Sequence, residues 1–228
     1  SYKDYQIKNM NFNNLIVSNP FTHSGYGSYK FGNRENIIKT FLDNNIDVHL
    51  YGKKSCLQQS TSLLKTYYTN YKGSIGKERK RTNTDFGISK INKLSEYKFI
   101  IVIENIFQDG YISEKLSDVL LCNRIIIYFG GPTIHKMFPE LFTNGIINGF
   151  TFESISDIIN FINNMSDDEY YQRIKNIEKA RDKILNLFNE KIHIHYILST
   201  LLVKKNIDIK FDKELVYLQN KNKKIKNL

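Results

Sequence analysis

Two short stretches decide most of what this chain can become: residues 98–103 (KFIIVI) and residues 124–129 (RIIIYF), each an unbroken apolar run of strand length. A strand with one wet face alternates apolar with polar side chains. These two do not, so both of their faces must be covered, as happens in parallel sheets layered between helices. A third run, residues 14–18 (NLIVS), stops at Asn19-Pro20 and reads as a further buried strand leading into a loop. From residue 34 to 44 the apolar positions Ile37, Ile38, Phe41 and Leu42 form one stripe of an amphipathic helix, and residues 46–51 (IDVHLY) alternate and end at Gly52. Strand, helix and strand in that order make a βαβ unit, the seed of a parallel sheet.

The rest of the chain continues the pattern. A short helix is expected over 88–97, a helix over about 113–121, a short helix near His135, a brief edge strand near Ile146, and a helix over 154–163. Ile174, Ile177, Ile184, Leu185 and Phe188 keep helical spacing in a last third that reads as helical from 167 to about 203. The fold class is therefore α/β, a doubly wound parallel sheet with helices returning at the C-terminus. We divide it into a Rossmann-like body, residues 12–190, and a helical extension with a basic tail, residues 191–228.

Composition narrows the function classes. The 228 residues are 41% hydrophobic, enough for a core, and no apolar stretch approaches the roughly 20 residues that span a bilayer. The N-terminal SYKDYQIKNM lacks the apolar run of a signal peptide. A soluble chain, cytoplasmic or peripheral to a membrane, is the expectation. Cys56 and Cys122 are too few and too far apart for a disulfide framework or a thiolate metal site, and read as reduced thiols. The net charge of +10 is uneven: residues 72–81 (KGSIGKERKR) carry +4 and residues 204–228 carry +5, which leaves the body almost neutral. Such a chain is not coated with charge as a dedicated nucleic-acid binder would be. The basic tail reads as a solvated end or as a contact for anionic lipid.

In a doubly wound sheet the chemistry lies in loops at the carboxyl ends of the strands. No GxGxxG follows the first strand and no GxxxxGK[ST] occurs, which argues against a dehydrogenase and a P-loop enzyme. The loop after KFIIVI stands out. It begins with Glu104 and Asn105, polar groups at the end of a buried strand that need partners, and runs to Tyr111-Ile112-Ser113-Glu114-Lys115 at a helix start capped by Ser113 or Asp109. Lys115 in a first helical turn is disfavoured by the helix dipole unless an anion sits there too. A blander account makes Glu114 and Lys115 two exposed helix residues.

Residues 97–132 (YKFIIVIENIFQDGYISEKLSDVLLCNRIIIYFGGP) resemble the signature of the α1,3/4-fucosyltransferase family, with its FEN segment, its Y-[IV]-[ST]-E-K segment and its strand ending in small residues before Pro. IVSNP and NRENIIKTFLDNNIDVHLYGK upstream, and FTFESISDIINFI downstream, are similar to further family stretches, so the resemblance covers roughly residues 14–190. It implies the donor-binding half of a GT-B glycosyltransferase that takes a nucleotide-diphosphate sugar, GDP-fucose first, for inverting transfer to a glycan hydroxyl without a divalent metal. Arg34 and Lys115 would then contact the diphosphate. Glu114 would lie at the ribose or the transferred sugar and stabilise its developing positive charge, Asn105 and Tyr111 would line the pocket, and Glu104 would support the loop.

The departures are equally specific. In the family the general base for the acceptor hydroxyl resides in an N-terminal acceptor half, and only about a dozen residues precede the first strand here. A separate acceptor domain is therefore an expected partner, and the catalytic base is not assigned; His23 and His135 are candidates for which a structural role is favoured. Arg124 stands where a small residue or Thr is usual, which puts the donor's sugar and base in question. Two alternatives stay open: a non-catalytic nucleotide-sugar-binding module, and a transferase for UDP- or dTDP-deoxysugars. The basic stretch 72–81 reads as a mobile lid or as a surface loop.

Overall fold

The uninterrupted apolar runs become the centre of a six-stranded, wholly parallel sheet. The computed structural model describes residues 11–18, 30–52, 68–75 and 84–187. The chain divides after Leu185 into two units, and almost all of these residues belong to the first. The strands are β1 (Asn11–Ser18), β2 (Val48–Tyr51), β3 (Tyr71–Gly73), β4 (Tyr97–Ile103), β5 (Ile125–Phe129) and β6 (Ile147–Asn148). Their order across the sheet is β3-β2-β1-β4-β5-β6. β1 lies between β2 and β4, with Leu15 level with Val48 on one side and Phe99 on the other. The connections therefore reverse direction between β1 and β4, and a doubly wound sheet opens a ligand crevice at that point.

Seven helices are described: α1 (Arg34–Asp43), α2 (Thr84–Leu94), α3 (Glu114–Leu120), α4 (Ile134–Met137), α5 (Pro139–Phe142), α6 (Ile155–Asn163) and α7 (Asp167–Leu187). Phe99, Ile101 and Ile103 of β4 and Ile125, Ile127 and Phe129 of β5 point to one face. There they pack with Ile37, Ile38 and Phe41 of α1 and with Ile155, Ile158 and Ile159 of α6. The alternate positions Ile100, Val102, Ile126 and Tyr128 are equally buried and serve the opposite face, where α2 and α3 lie against β4. Burial on both faces explains why these strands show no alternation.

Local chemistry sets the boundaries. Asn33 caps α1 by accepting from the Asn36 N–H at 2.9 Å, and Ser154 with Asp157 forms a capping box on α6. Helix α1 ends in a Schellman arrangement, Ile46 N–H to Phe41 C=O and Asn45 N–H to Leu42 C=O, with Asn45 left-handed at φ 60°. Asn123 and Asn144 are the other non-glycine residues at positive φ among those described, so asparagine takes positions that glycine often fills.

Several expectations need adjustment. The helix expected over 88–97 spans Thr84–Leu94, because the chain turns at Ser95-Glu96 and Tyr97 already belongs to β4. β2 begins at Val48 rather than Ile46, since Ile46 is held in the α1 terminus. β3, the short helix α5 and the 3-10 turns at Tyr68–Asn70 and Gly149–Thr151 were not foreseen. Cys122 is a buried thiol pushed up to about 12 by burial. His23, Cys56, residues 76–81 of the basic stretch and the extension 191–228 lie outside the described residues. No described helix is long and apolar enough to cross a membrane.

Candidate functional site

The six residues singled out from the sequence gather where β4 ends. The ladder runs one residue beyond β4, with Glu104 N–H donating to Phe129 C=O at 2.8 Å, so the Glu104 side chain is carried inside the sheet edge and is 0% exposed. A carboxylate so placed must be satisfied by protein groups. It is: Ser113 donates its N–H at 3.1 Å and its hydroxyl at 2.5 Å, the Tyr128 hydroxyl donates at 3.3 Å, and the Lys115 ammonium stands 3.5 Å away.

Arg34 opens α1, the helix that follows the β1 loop. One terminal nitrogen donates to the Ile103 carbonyl at 2.9 Å and to Asn105 Oδ1 at 2.5 Å. The guanidinium thus ties the start of α1 to the end of β4 and to the loop that follows it. It is a buried cation, with the residue 3% exposed.

Beyond Asn105 the chain turns at Gln108 to Tyr111, with Gly110 at φ 71° in the position of a type II turn that a side chain would strain. Ser113 then caps α3 by accepting from the Lys115 N–H at 3.3 Å. Glu114 projects into solvent with its side chain 72% exposed, whereas the Lys115 side chain is 15% exposed. Lys115 Nζ donates to Ser113 Oγ at 3.0 Å and lies 3.8 Å from Glu114. The anion that offsets a cation in this first turn is therefore the protein's own Glu104. Of the three N–H donors on the ammonium, the hydrogen bond to Ser113 occupies one. Tyr111 lies among these charges: burial first, then Glu104 and Glu114, raise its phenol above the ordinary range, while Arg34 acts in the opposite direction.

The two glycines after β5 complete the surround. A Cβ on Gly130 would sit 2.2–2.3 Å from the Tyr128 ring, and one on Gly131 would sit 2.4 Å from the Gln108 carbonyl. Neither position has room for a side chain: at Gly130 the obstacle is Tyr128, two residues back, and at Gly131 it is the loop after β4. Three further carboxyl-end residues meet through aromatic rings: Phe150, following β6, is 4.6 Å from Phe107 and 5.9 Å from Phe31. Sequence reading missed Tyr128 and this aromatic cluster. The GGP turn was noted, but nothing in a run such as IIIYF distinguishes a tyrosine that packs from one that donates.

Other candidates lie elsewhere. Arg124, expected to alter the donor pocket, sits at the amino end of β5. It donates to the carbonyls of Ser95 at 3.0 Å and Asn123 at 2.8 Å, so it fastens the opposite end of the sheet. His135, on α4, lines a cavity of about 530 Å3 with Phe142, Asn148, Phe161 and Arg173. Its Nδ1 is buried with no hydrogen-bond partner among the described residues. No group of three or more His, Cys, Asp or Glu side chains gathers among the described residues in a way that could hold a metal ion.

A parallel sheet of this order, with polar groups collected at the reversal point, defines a doubly wound, Rossmann-like α/β protein. Residues 8–179 match the family model described as glycosyltransferase family 10 (fucosyltransferase), C-terminal, and the chain belongs to that family. It is similar to the putative fucosyltransferase R654 of Acanthamoeba polyphaga mimivirus, with 33% identity over 123 residues, 54% of this chain and 18% of that protein. It is also similar to alpha-(1,3)-fucosyltransferase B of Drosophila melanogaster, with 30% identity over 139 residues, 60% of this chain and 27% of that one. Among solved structures, an α1,3-fucosyltransferase with GDP aligns at TM-score 0.47 and 20% identity, over 80% of this chain and 47% of that one. The chain thus spans less than a third of the length of these two relatives.

Proposed function

We propose that this chain is the donor-binding part of a GT-B fucosyltransferase and that the crevice at the end of β4 takes a nucleotide-diphosphate sugar, GDP-fucose before others, for inverting transfer to a glycan hydroxyl. The observation that carries the reading is the Lys115 ammonium, held near the reversal point by one hydrogen bond and with N–H donors to spare, at the same end of β4 where the Arg34 guanidinium holds Ile103 and Asn105. As the bond from sugar to diphosphate breaks, negative charge grows on the phosphate oxygens. A fixed ammonium aimed there stabilises that charge without a divalent ion. Arg34 adds its charge and holds Asn105 in place, Tyr111 lines the pocket, and the exposed Glu114 carboxylate is free to meet the ribose or the positive charge that develops on the sugar. Glu104 supports the loop from within the sheet edge. The general base comes from an acceptor-binding domain, as the family resemblance implies.

Titration calorimetry of the chain with GDP, UDP and dTDP tests this. GDP is expected to bind best; no binding of any of the three removes the reading, and preference for UDP or dTDP reassigns the donor to another deoxysugar. Lys115→Ala is expected to weaken GDP binding by about 1.5–3 kcal/mol, the scale of a hydrogen bond to a charged group. Unchanged affinity would place the phosphates elsewhere.

A further inference from the structure

Resting on that reading of Lys115, we propose that Tyr128 and Ser113 are positioning residues that act through Glu104 to hold the ammonium ready for the diphosphate. Hydrogen-bond counting fixes the direction of the chain of contacts. A serine hydroxyl has one proton and two acceptor lone pairs. The Ser113 proton goes to Glu104 Oε2, so both lone pairs are left for Lys115, one for its backbone N–H and one for Nζ. The hydroxyl is saturated in the one orientation that serves Lys115. It keeps that orientation only while Glu104 stands still.

The carboxylate is pinned at both oxygens. Oε2 takes the Ser113 hydroxyl and faces Lys115, while Oε1 takes the Ser113 N–H and the Tyr128 hydroxyl. Tyr128 is fully buried, with Phe142 edge-on at 6.0 Å and Gly130 leaving room beneath its ring. A phenylalanine would fill the same volume, and packing alone does not call for the hydroxyl. The hydroxyl donates to the acid that orients the serine. The order of action is therefore Tyr128 to Glu104, Glu104 to Ser113, and Ser113 to the ammonium.

The test is calorimetric titration of the 228-residue chain with GDP across Tyr128→Phe, Ser113→Ala, Ser113→Thr, Lys115→Ala and the doubles that add Lys115→Ala. Tyr128→Phe and Ser113→Ala are each expected to weaken GDP about three- to tenfold. Ser113→Thr restores the affinity, and neither loss recurs once Lys115 is alanine, because the network then has nothing to position. A role in stability alone would weaken binding equally with and without Lys115, and that result overturns the inference, as does wild-type affinity in both single variants. If Lys115→Ala itself binds GDP like the wild type, the phosphate reading falls and this inference with it. If only Lys115→Ala is weakened, the inference falls alone. Should Ser113→Ala fail to fold, Tyr128→Phe and its double carry the decision.

Discussion

The sheet has a buried arginine at each end, and the two are put to different use. At the amino end Arg124 donates to the backbone carbonyls of Ser95 and Asn123, and the side chain of Asn123 is in turn bonded to Arg181 and Glu178 of α7. At the carboxyl end Arg34 divides its donors between one carbonyl and the side-chain amide of Asn105, beside a carboxylate, an ammonium and a phenol. Main-chain carbonyls cannot move without moving the sheet. Side-chain partners can, so the carboxyl end is the one that can exchange a protein contact for a ligand contact. Burial alone therefore does not mark an arginine as a candidate for ligand contact; Arg34 is proposed as one because it sits at the carboxyl end and holds a side-chain amide there.

Replacing each arginine by methionine breaks the comparison open, and it is expected to have the largest effect of any test here. Both variants strand buried acceptors, and each is expected to lose about 2–4 kcal/mol of stability in urea unfolding. GDP affinity should divide them. Arg124→Met keeps wild-type binding where the protein is folded, whereas Arg34→Met loses tenfold or more, about 1.4 kcal/mol. Equal losses of binding would mean that the two ends are coupled through the sheet and that the contrast drawn here is wrong.

A smaller change sharpens the same contrast from a third place. The Ser154–Asp157 capping box secures α6 on the face shared with α1, and its hydrogen bonds run between these two residues at the helix start. Ser154→Ala should cost about 1 kcal/mol of stability and leave GDP affinity alone. A drop in affinity as large as that of Lys115→Ala would show that nucleotide binding reports general stability rather than the geometry at Lys115.

Much of this arrangement was legible beforehand because apolar runs and helix stripes respond to burial, which the sheet enforces. KFIIVI and RIIIYF could only be interior strands, and the placement of Glu104 at the end of one already required partners for it. The short elements escaped for physical reasons. β3 is three residues of YKG on an edge, partly exposed, with no periodicity to read, and α2 starts inside a polar stretch that has no apolar stripe before Phe86. Arg124 was misplaced because a motif aligned by sequence says which residues are neighbours along the chain, not which end of the strand they occupy. Tyr128 was invisible because its hydroxyl bond crosses from β5 to the end of β4, a contact set by the register of Tyr128 beside Val102. In a chain this rich in asparagine, no single one stands out as a turn signal, yet Asn45, Asn123 and Asn144 each take a left-handed conformation.

The smallest expected effect concerns pH and a polar group on β2, His49, whose partners are Tyr97 and Asp47. His49 Nδ1 lies 2.7 Å from the Tyr97 hydroxyl and Nε2 lies 3.3 Å from Asp47. Burial, the largest influence, lowers its pKa below the ordinary 6.5; Asp47 opposes this and Lys72 adds to it. The unfolded chain then takes up a proton near pH 6.5 that the folded chain refuses, so His49 favours the folded state fully above that pH and progressively less as the solution is acidified below it. Urea midpoints at about pH 7.5 and pH 5.5 should fall with acid in the wild type and fall less in His49→Gln, while GDP affinity at either pH stays the same in both proteins. Equal acid sensitivity of the two midpoints would remove His49 from the account. A GDP affinity that follows His49 would instead tie β2 to the crevice and blur the separation between the structural and the binding parts of the sheet.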